Sequence, residues 1–378
     1  MKLSDLRILH IITTLNRGGA ENHLVDLVQG QRIRGLQVDV AYLKGDGYWT
    51  DKIKRLGCDV YALGLRWYGD PKPCCELRRL IRHLEPSLVH AHLPPAELYT
   101  RLALIGLNNP PALVISKHND ASFYQGIASR TLGKWIASCA CHIIAISNAV
   151  RIYMIKEFNL PEKQISTIHY GIDPVPYSEV PAKEVAALRS FWLSGNTGWV
   201  IGTVARLVPE KALHTLIEGY ATYREQATKA SRLVIVGRGR LEQELKQFAE
   251  HLGIGNKVIW SGFREDIPAV MAAFDLFALT SIREGFGMVL LEAMAAKRPI
   301  VASAVSAIPE VVVDGRTGIL FPALGTNRLA DAFLMFETDS IRRSYGQAGY
   351  ELVSSHFTLD KMVERTLEIY REHLTSER

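Results

Sequence analysis

Two glutamates in the second half of the chain have the spacing of a site for a polar, phosphorylated ligand. In the segment TSIREGFGMVLLEAMAA, Glu284 precedes Gly285 and Gly287, and Glu292 follows eight positions later inside an apolar helical stretch. Glycines at a helix start let backbone N–H groups face an anion, and a ribose diol would give Glu292 two hydroxyl donors. Hydrolase carboxylates flank one bond at about 5–9.5 Å, so we expect this pair to hold opposite ends of one ligand. A solvated surface charge is the alternative for each.

Cations and glycines also follow predicted strands elsewhere. Arg206 and Lys211 come just after a strand, where two cations suit a diphosphate; in isolation a solvated basic pair is the simpler interpretation. Gly18 and Gly19 end the first predicted strand, and a similar loop lies at 237–239, where a plain turn is the simpler interpretation. The full G-x-G-x-x-G pattern is absent, which argues against a dinucleotide-dependent dehydrogenase.

Histidines lie at the ends of two predicted strands in the first half. His118 follows one of them, and His90 and His92 share one face of the other. A structural histidine is the simpler interpretation of each from the residues alone. No third ligand is apparent beside His90 and His92, so we expect no metal there. The five cysteines form no C-x-x-C pair, which favours a reducing cytoplasm.

Alternating strands and helices must position these residues. The pattern predicts an α/β protein with two Rossmann-like, doubly wound parallel sheets facing across a cleft. We expect an N-terminal Rossmann-like domain over 1–173, a proline-rich linker over 174–198 and a C-terminal Rossmann-like domain over 199–356. A final helix over 357–378 would complete the chain and could cross back to the first domain.

The net charge of +5 lies entirely in the first half, where residues 1–180 hold 21 Lys and Arg against 16 Asp and Glu. An excess this small does not indicate a nucleic-acid partner. Basic residues and the aromatic side chains of Trp49, Trp67 and Tyr68 lie close together in sequence, a combination that suits an anionic membrane surface. A solvated helix face is the alternative. No apolar run approaches the ~20 residues that span a bilayer.

Taken together and in order, these motifs resemble the retaining glycosyltransferases of family GT4, which have the GT-B fold. The resemblance covers nearly the whole chain. Its landmarks are Gly-Gly-Ala-Glu at 18–21, His-Ala-His at 90–92, His118, Gly-Ile-Asp at 171–173, Arg206 with Lys211, Gly237 with Gly239, the Glu284 and Glu292 pair, and Val-Asp-Gly at 313–315 with Gly318.

The resemblance implies a role for each candidate site residue. Arg206 and Lys211 would bind the donor diphosphate in place of a metal ion, so no metal and no further cofactor are expected. Glu284 would bind the donor sugar, Glu292 the ribose, and His118 would face the reacting sugar. By the same resemblance, the C-terminal domain would hold the nucleotide sugar and the N-terminal domain would receive the acceptor. Gly19 would approach the donor from the N-terminal domain. Backbone groups near the sugar and phosphate would come from Gly285, Phe286, Gly287, Met288 and Val289.

Three positions depart from the family pattern. Ala212 follows the lysine where Gly is frequent, Ser306 and Ala307 occupy a loop that usually carries Gly, and Tyr170 replaces a frequent Asn. These changes leave the class intact and bear on donor specificity.

The expected activity is therefore transfer of a hexose or N-acetylhexosamine from a nucleotide sugar, with UDP favoured by family frequency, to a hydroxyl acceptor. We expect a glycan or lipid-linked acceptor of envelope polysaccharide, lipopolysaccharide or glycolipid synthesis, and a cytoplasmic enzyme that contacts the inner face of the membrane. The alternatives are a GT-B sugar-nucleotide epimerase or hydrolase, and a non-catalytic nucleotide-sugar-binding subunit.

Overall fold

A computed structural model describes residues 6–119 and 127–375 of the chain; residues 1–5, 120–126 and 376–378 lie outside the described residues. The chain divides into two compact units. The first unit comprises Met1–Gly171 and Leu359–Arg378, and the second comprises Ile172–Thr358.

Strands and helices alternate along both units. The strands are β1 (Arg7–Thr14), β2 (Gln37–Lys44), β3 (Val60–Ala62), β4 (Leu88–His92), β5 (Ala112–Lys117), β6 (His142–Ala145), β7 (Ile165–Thr167), β8 (Trp199–Val204), β9 (Ser231–Val236), β10 (Val258–Gly262), β11 (Leu276–Leu279), β12 (Ile300–Ser303) and β13 (Gly318–Phe321). The helices are α1 (Gly19–Ile33), α2 (Thr50–Arg55), α3 (Lys72–Leu84), α4 (Pro94–Leu104), α5 (Ile127–Ala137), α6 (Asn148–Phe158), α7 (Val175–Ser178), α8 (Ala182–Leu193), α9 (Leu213–Gln226), α10 (Glu242–His251), α11 (Ile267–Ala273), α12 (Met288–Ala295), α13 (Ile308–Val311), α14 (Thr326–Met335), α15 (Asp339–His356) and α16 (Leu359–Thr375).

Each unit contains one parallel sheet, so the prediction of two doubly wound, Rossmann-like sheets is confirmed. Within the described residues the first sheet has the order β3-β2-β1-β4-β5-β6-β7 and the second has the order β10-β9-β8-β11-β12-β13. The central strands are buried almost throughout because helices cover both faces, which explains why they read as continuous apolar runs.

The segment predicted as a linker is helical. Residues 174–198 contain α7 and α8, which pack against α11 within the second unit. Trp192 of α8 is buried and stacks on Phe274 at 5.5 Å between ring centroids. The prolines that suggested a linker lie at helix starts, where a missing N–H costs little: Pro174 and Pro181 are the N-cap residues of α7 and α8.

The last helix belongs to the first unit. α16 packs on α1, and Val363 and Tyr370 enter the buried core of that unit. Gly30 of α1 permits this approach, because a Cβ there would lie 2.4 Å from Val363 Cγ2. No helix among the described residues combines the length and the apolar character needed to cross a membrane.

Candidate functional site

In the second unit, the predicted cations and the first glutamate follow the carboxyl ends of two strands. These strands, β8 and β11, are neighbours, and the chain continues from β8 to β9 on one side and from β11 to β12 on the other. Ligands of such sheets bind beyond the carboxyl ends of the strands at this point. Arg206 and Lys211 follow β8, and Glu284 follows β11. The three side chains therefore lie on the two loops where a ligand site is expected.

Lys211 and Glu284 form an ion pair across these loops. Lys211 Nζ lies 2.5 Å from Glu284 Oε2, and each side chain is 16% exposed. Ser281 Oγ donates a hydrogen bond to the same carboxylate oxygen at 3.1 Å. Thr280 Oγ1 donates to the backbone oxygen of Lys211 at 3.0 Å, which joins the two loops directly. The pair is therefore held in a fixed position with partial access to solvent.

The glycines at 237 and 239 serve backbone packing beside Arg206. Gly237 has φ 138, and a Cβ there would lie 1.9 Å from Ala205 O. A Cβ at Gly239 would lie 2.3 Å from Leu207 O. The loop after β9 thus lies directly against the loop that carries Arg206. The guanidinium of Arg206 is exposed and, among the described residues, makes no ion pair, so it is available to an anion.

The glycine before α12 sets the entry to the helix that carries Glu292. Gly287 has φ 89, and a Cβ there would lie 2.9 Å from Leu290 Cδ1 and 3.3 Å from Glu284 Cγ. Phe286 is buried. Met288 begins α12, whose first N–H groups point out of the helix toward the loop after β11.

Glu292 lies a little more than one turn into α12 and has a hydroxyl donor of its own. Tyr177 of α7 donates a hydrogen bond from its OH to Glu292 Oε1 at 3.2 Å. A phenolic hydroxyl of the protein therefore uses one of the acceptor sites of this carboxylate. The ribose role of Glu292 stays a prediction.

In the first unit, the two glycines after β1 differ in their surroundings. A Cβ at Gly18 would lie 2.4 Å from Glu21 Oε2, and Glu21 is fixed by a hydrogen bond from Thr14 Oγ1 at 2.5 Å. Gly19 begins α1 and is exposed, and a Cβ added there would meet no heavy atom within 4 Å. Gly18 therefore makes room for a side chain of the protein, whereas Gly19 leaves open space.

His118 is engaged at both ring nitrogens within the first unit. Its Nε2 lies 3.1 Å from His92 Nδ1, and its Nδ1 is hydrogen-bonded to the hydroxyl of Tyr170. Burial, followed by the charge of Lys117, lowers the pKa of His118 to about 3. The ring is therefore neutral at physiological pH, which leaves it a part in positioning rather than in charge stabilisation.

The expectation that no third imidazole accompanies His90 and His92 is wrong. β1 pairs with β4 so that His10 lies opposite His90, and ligand atoms of the three rings lie within 4.8 Å of one another. Each ring nitrogen of the three is nevertheless hydrogen-bonded to a protein group. These hydrogen bonds are sufficient to explain why the three rings lie together.

Sequence reasoning missed several side chains that support the site. Tyr177 lies in a segment interpreted as a linker, and Ser281 has no motif of its own. His10 could have been found, because alternation along two neighbouring parallel strands places His10 and His90 on one sheet face.

Comparison with known proteins identifies the class that this fold and these loops define. A family model described as "Glycosyl transferases group 1" matches residues 186–352, and a model described as "Glycosyltransferase Family 4" matches residues 17–175. The fold is GT-B, and the chain belongs to glycosyltransferase family 4, as the resemblance predicted.

Individual relatives cover nearly the full length. A GDP-mannose-dependent alpha-(1-6)-phosphatidylinositol monomannoside mannosyltransferase of Mycobacterium tuberculosis is 26% identical over 94% of this chain and 95% of its own. A UDP-Gal:alpha-D-GlcNAc-diphosphoundecaprenol alpha-1,3-galactosyltransferase of Escherichia coli is 23% identical over 85% of both chains. The crystal structure of Anabaena HepE in complex with UDP and glucose superposes with a TM-score of 0.86 at 24% identity, covering 97% of this chain and 100% of that one.

Proposed function

We propose that this glycosyltransferase moves a hexose or N-acetylhexosamine from a nucleoside diphosphate sugar to a hydroxyl acceptor, with retention of anomeric configuration and without a metal ion. The observation that carries the proposal is the Lys211–Glu284 pair at the carboxyl ends of β8 and β11. The pair combines a cation, which suits a diphosphate, with a carboxylate, which suits sugar hydroxyls, beyond the strand ends where ligands of such sheets bind, and this supports the proposal.

Arg206 and Lys211 supply the electrostatic part of the reaction. As the bond between the anomeric carbon and the phosphate oxygen breaks, its electron pair moves to the diphosphate and negative charge accumulates there. Fixed cations aimed at developing charge are usually the largest catalytic contribution, and two of them reduce the need for a metal. Lys211 is held by Glu284, so it needs little reorganisation when the charge develops.

The glutamates and the start of α12 hold the rest of the donor. Glu284 accepts hydrogen bonds from hydroxyls of the sugar, and Glu292 accepts from the ribose in competition with the Tyr177 hydroxyl. Backbone N–H groups from Gly285 to Val289 face the sugar and the phosphate. For Gly19, where an added Cβ would meet no heavy atom within 4 Å, we propose a contact with the donor.

Retention follows from attack on the same face from which the diphosphate departs. The acceptor oxygen forms its bond to the anomeric carbon, and the acceptor proton passes to an oxygen of the departing phosphate. His118 is neutral and both its nitrogens are engaged, so it positions the reacting groups and is not the base. Every proton and electron pair is then accounted for without a protein base.

For the donor we favour UDP over GDP, and for the acceptor a lipid-linked or envelope-glycan hydroxyl at the cytoplasmic face of the membrane. Two relatives act, by name, on lipid-linked acceptors, one with GDP-mannose and one with UDP-galactose. The basic, aromatic surface of the first unit supports the membrane part of this proposal, and its test is given in the Discussion.

The experiment is a transfer assay preceded by a thermal-shift screen against nucleoside diphosphates and their sugars, since binding to the folded state raises stability. We expect transfer to an acceptor in the presence of a chelator. Lys211→Ala should lower kcat/KM by about 100-fold or more, because it removes a cation aimed at developing charge. Glu284→Gln should also weaken transfer.

Lys246→Ala is the matched control, because Lys246 forms a lysine–glutamate ion pair with Glu242 at 2.7 Å along α10, and neither residue belongs to the loops that follow β8 and β11. It should keep full activity. Rapid hydrolysis or epimerisation of the donor without an acceptor would instead establish the epimerase or hydrolase alternative. Binding of the donor without any turnover would indicate a non-catalytic subunit.

A further inference from the structure

Four histidines of the first unit lie on one face of three neighbouring strands. His10 is on β1, and His90 and His92 are on β4. His118 follows β5 and lies two residues after Ser116 of that strand. Residues two apart on a strand share a face, so all four rings project to the same side of the sheet. His10, His90 and His92 are 0% exposed.

Two helices cover this face with polar side chains of their own. Gln31 of α1 is fully buried and bonds to His10 Nε2 through Oε1 at 2.9 Å. Its Nε2 lies 3.4 Å from the hydroxyl of Tyr370 on α16, and that hydroxyl lies 2.6 Å from His90 Nδ1. His90 Nε2 reaches Ser116 Oγ at 2.8 Å. A buried chain of polar groups thus runs beneath α1 and α16.

The chain continues toward the carboxyl end of β5. His10 Nδ1 lies 3.0 Å from His92 Nε2, His92 Nδ1 lies 3.1 Å from His118 Nε2, and His118 Nδ1 bonds to the Tyr170 hydroxyl. Every imidazole nitrogen in the chain therefore has one protein partner.

A neutral imidazole has one donor and one acceptor, which gives the chain a single direction. The Gln31 oxygen can only accept, so the hydrogen of His10 is on Nε2 and its Nδ1 accepts. His92 must then donate from Nε2 and accept at Nδ1, and His118 must donate from Nε2 to His92. The acceptor left on His118 is Nδ1, so the Tyr170 hydroxyl donates to it.

A charged ring would break this order. An imidazolium donates at both nitrogens, so two donors would meet at one of the bonds. Burial lowers the pKa of His10 to about 4 and, together with neighbouring histidines, lowers the pKa values of His90 and His92 well below the usual range. Burial raises the pKa of Tyr170 well above its usual range, so its hydroxyl keeps the proton that it donates.

We propose that this one-directional chain, ending in the Tyr170 hydroxyl, fixes the ring orientation of His118 and its Nε2–H tautomer. Tyr170 and His92 are then positioning residues for the transfer reaction, acting through His118. The tautomer assignment concerns the first unit alone; only the catalytic consequence rests on the proposed function.

The groups that face His118 from each packed element are consistent with a neutral ring. The ring of His23 on α1 lies 5.6 Å from that of His118 and stacks on Tyr170 at 4.3 Å, and burial lowers the pKa of His23 well below the usual range. Lys117 precedes His118 on the strand and is paired with the buried Glu97 of α4. The charge of Glu21 on α1 adds to the effect of burial in raising the pKa of Tyr170.

The first test reads the tautomers directly by nitrogen NMR of the histidine rings in the full-length protein without ligand, with assignments from single substitutions. We expect His10, His92 and His118 to carry hydrogen on Nε2, with no titration between about pH 5 and pH 8. Hydrogen on Nδ1 of His10, His92 and His118 would mean that Gln31 donates and the chain runs the other way, which would overturn the proposal. Titration of His118 in this range would also overturn it.

The second test is Tyr170→Phe, which removes only the hydroxyl that donates to His118. His118 Nδ1 then has no donor, while burial and the charge of Lys117 still hold the pKa of the ring low, so the neutral ring is free to exchange its Nε2–H tautomer for the Nδ1–H one. We expect about tenfold lower kcat for transfer, a KM that changes by no more than about twofold, and a nitrogen NMR spectrum in which part of the His118 population carries hydrogen on Nδ1.

Tyr220→Phe is the matched control, because Tyr220 is a buried tyrosine of the second unit whose hydroxyl bonds to Ser231 at 3.1 Å. It should lower stability without changing the tautomer of His118. As a conservative variant, His92→Gln can still accept from His118 and donate to His10, so it should retain more of kcat than His92→Leu. An unchanged His118 tautomer and kcat in Tyr170→Phe would refute the positioning role. Absence of transfer by the wild-type enzyme with the expected tautomers would refute only the proposed function.

Discussion

Two residues near the donor loops hold a backbone conformation that favours glycine. Ala212 has φ 43 and Ser306 has φ 46, and both occupy positions where the family pattern led us to expect glycine. The left-handed conformation costs a residue with a Cβ about 1–2 kcal/mol. Ala212 and Ser306 therefore each hold a backbone conformation that glycine would adopt without this cost.

We predict that Ala212→Gly stabilises the second unit by about 0.5–1 kcal/mol, because relief of the left-handed strain outweighs the entropy that glycine loses on folding. Ser306→Gly should act in the same direction. Thermal unfolding should show a rise of about 2 °C. Ala187→Gly, at an exposed position inside α8, is the control and should destabilise by about 1 kcal/mol. Equal losses in all three variants would contradict the strain argument.

At the scale of elements, the sheet of the first unit carries buried neutral histidines that the other sheet lacks. Burial lowers the pKa of His10 to about 4 and that of His118 to about 3. The unfolded chain binds protons near pH 6.5, so stability is complete above that pH and is lost as the pH falls toward these folded values. The described histidines of the second unit, His214, His251 and His356, all retain exposure.

We therefore predict that the first unit loses stability in mild acid before the second does. At pH 5.5 each buried ring should cost about 1.4 kcal/mol. The measurement is the opening free energy of amides in β4 and β5 against β8 and β11, from hydrogen exchange corrected for its intrinsic pH dependence. Parallel losses in both sheets between pH 7.5 and pH 5.5 would refute this assignment.

What could be predicted from the sequence depended on element length and on contacts between distant residues. Long apolar strands such as β1 and β4 were predictable because both faces are covered, whereas β7 has three residues and only Ile165 fully buried. Glu284 and Lys211 could be chosen by residue type and by position after strands. Their ion pair could not be predicted, because 73 positions separate them and only the adjacency of β8 and β11 brings them together.

At the scale of the whole molecule, the first half of the chain, which holds the basic excess, also exposes two neighbouring aromatic side chains. Trp67 and Tyr68 are 61% and 55% exposed, and Lys44 Nζ bonds to the Tyr68 hydroxyl at 2.7 Å. Arg82 is exposed on α3 just beyond them in sequence. Trp49 does not belong to this surface, because its ring packs against the core of the first unit.

We predict that the full-length protein binds anionic vesicles through Trp67 and Tyr68, and that binding weakens as salt screens the basic side chains. Exposed aromatic rings partition into the interface, and each Lys or Arg near an anionic surface adds about 1 kcal/mol. In co-sedimentation with phosphatidylglycerol vesicles, the variant Trp67→Ser with Tyr68→Ser should lose at least about tenfold in partitioning. Phe191→Ser, at a 70% exposed aromatic of the second unit, is the matched control and should bind like wild type. Transfer to a water-soluble acceptor should be equal in all three proteins, so a loss confined to vesicles would place the acceptor on the membrane. Equal vesicle binding by all three proteins would remove this surface from the mechanism.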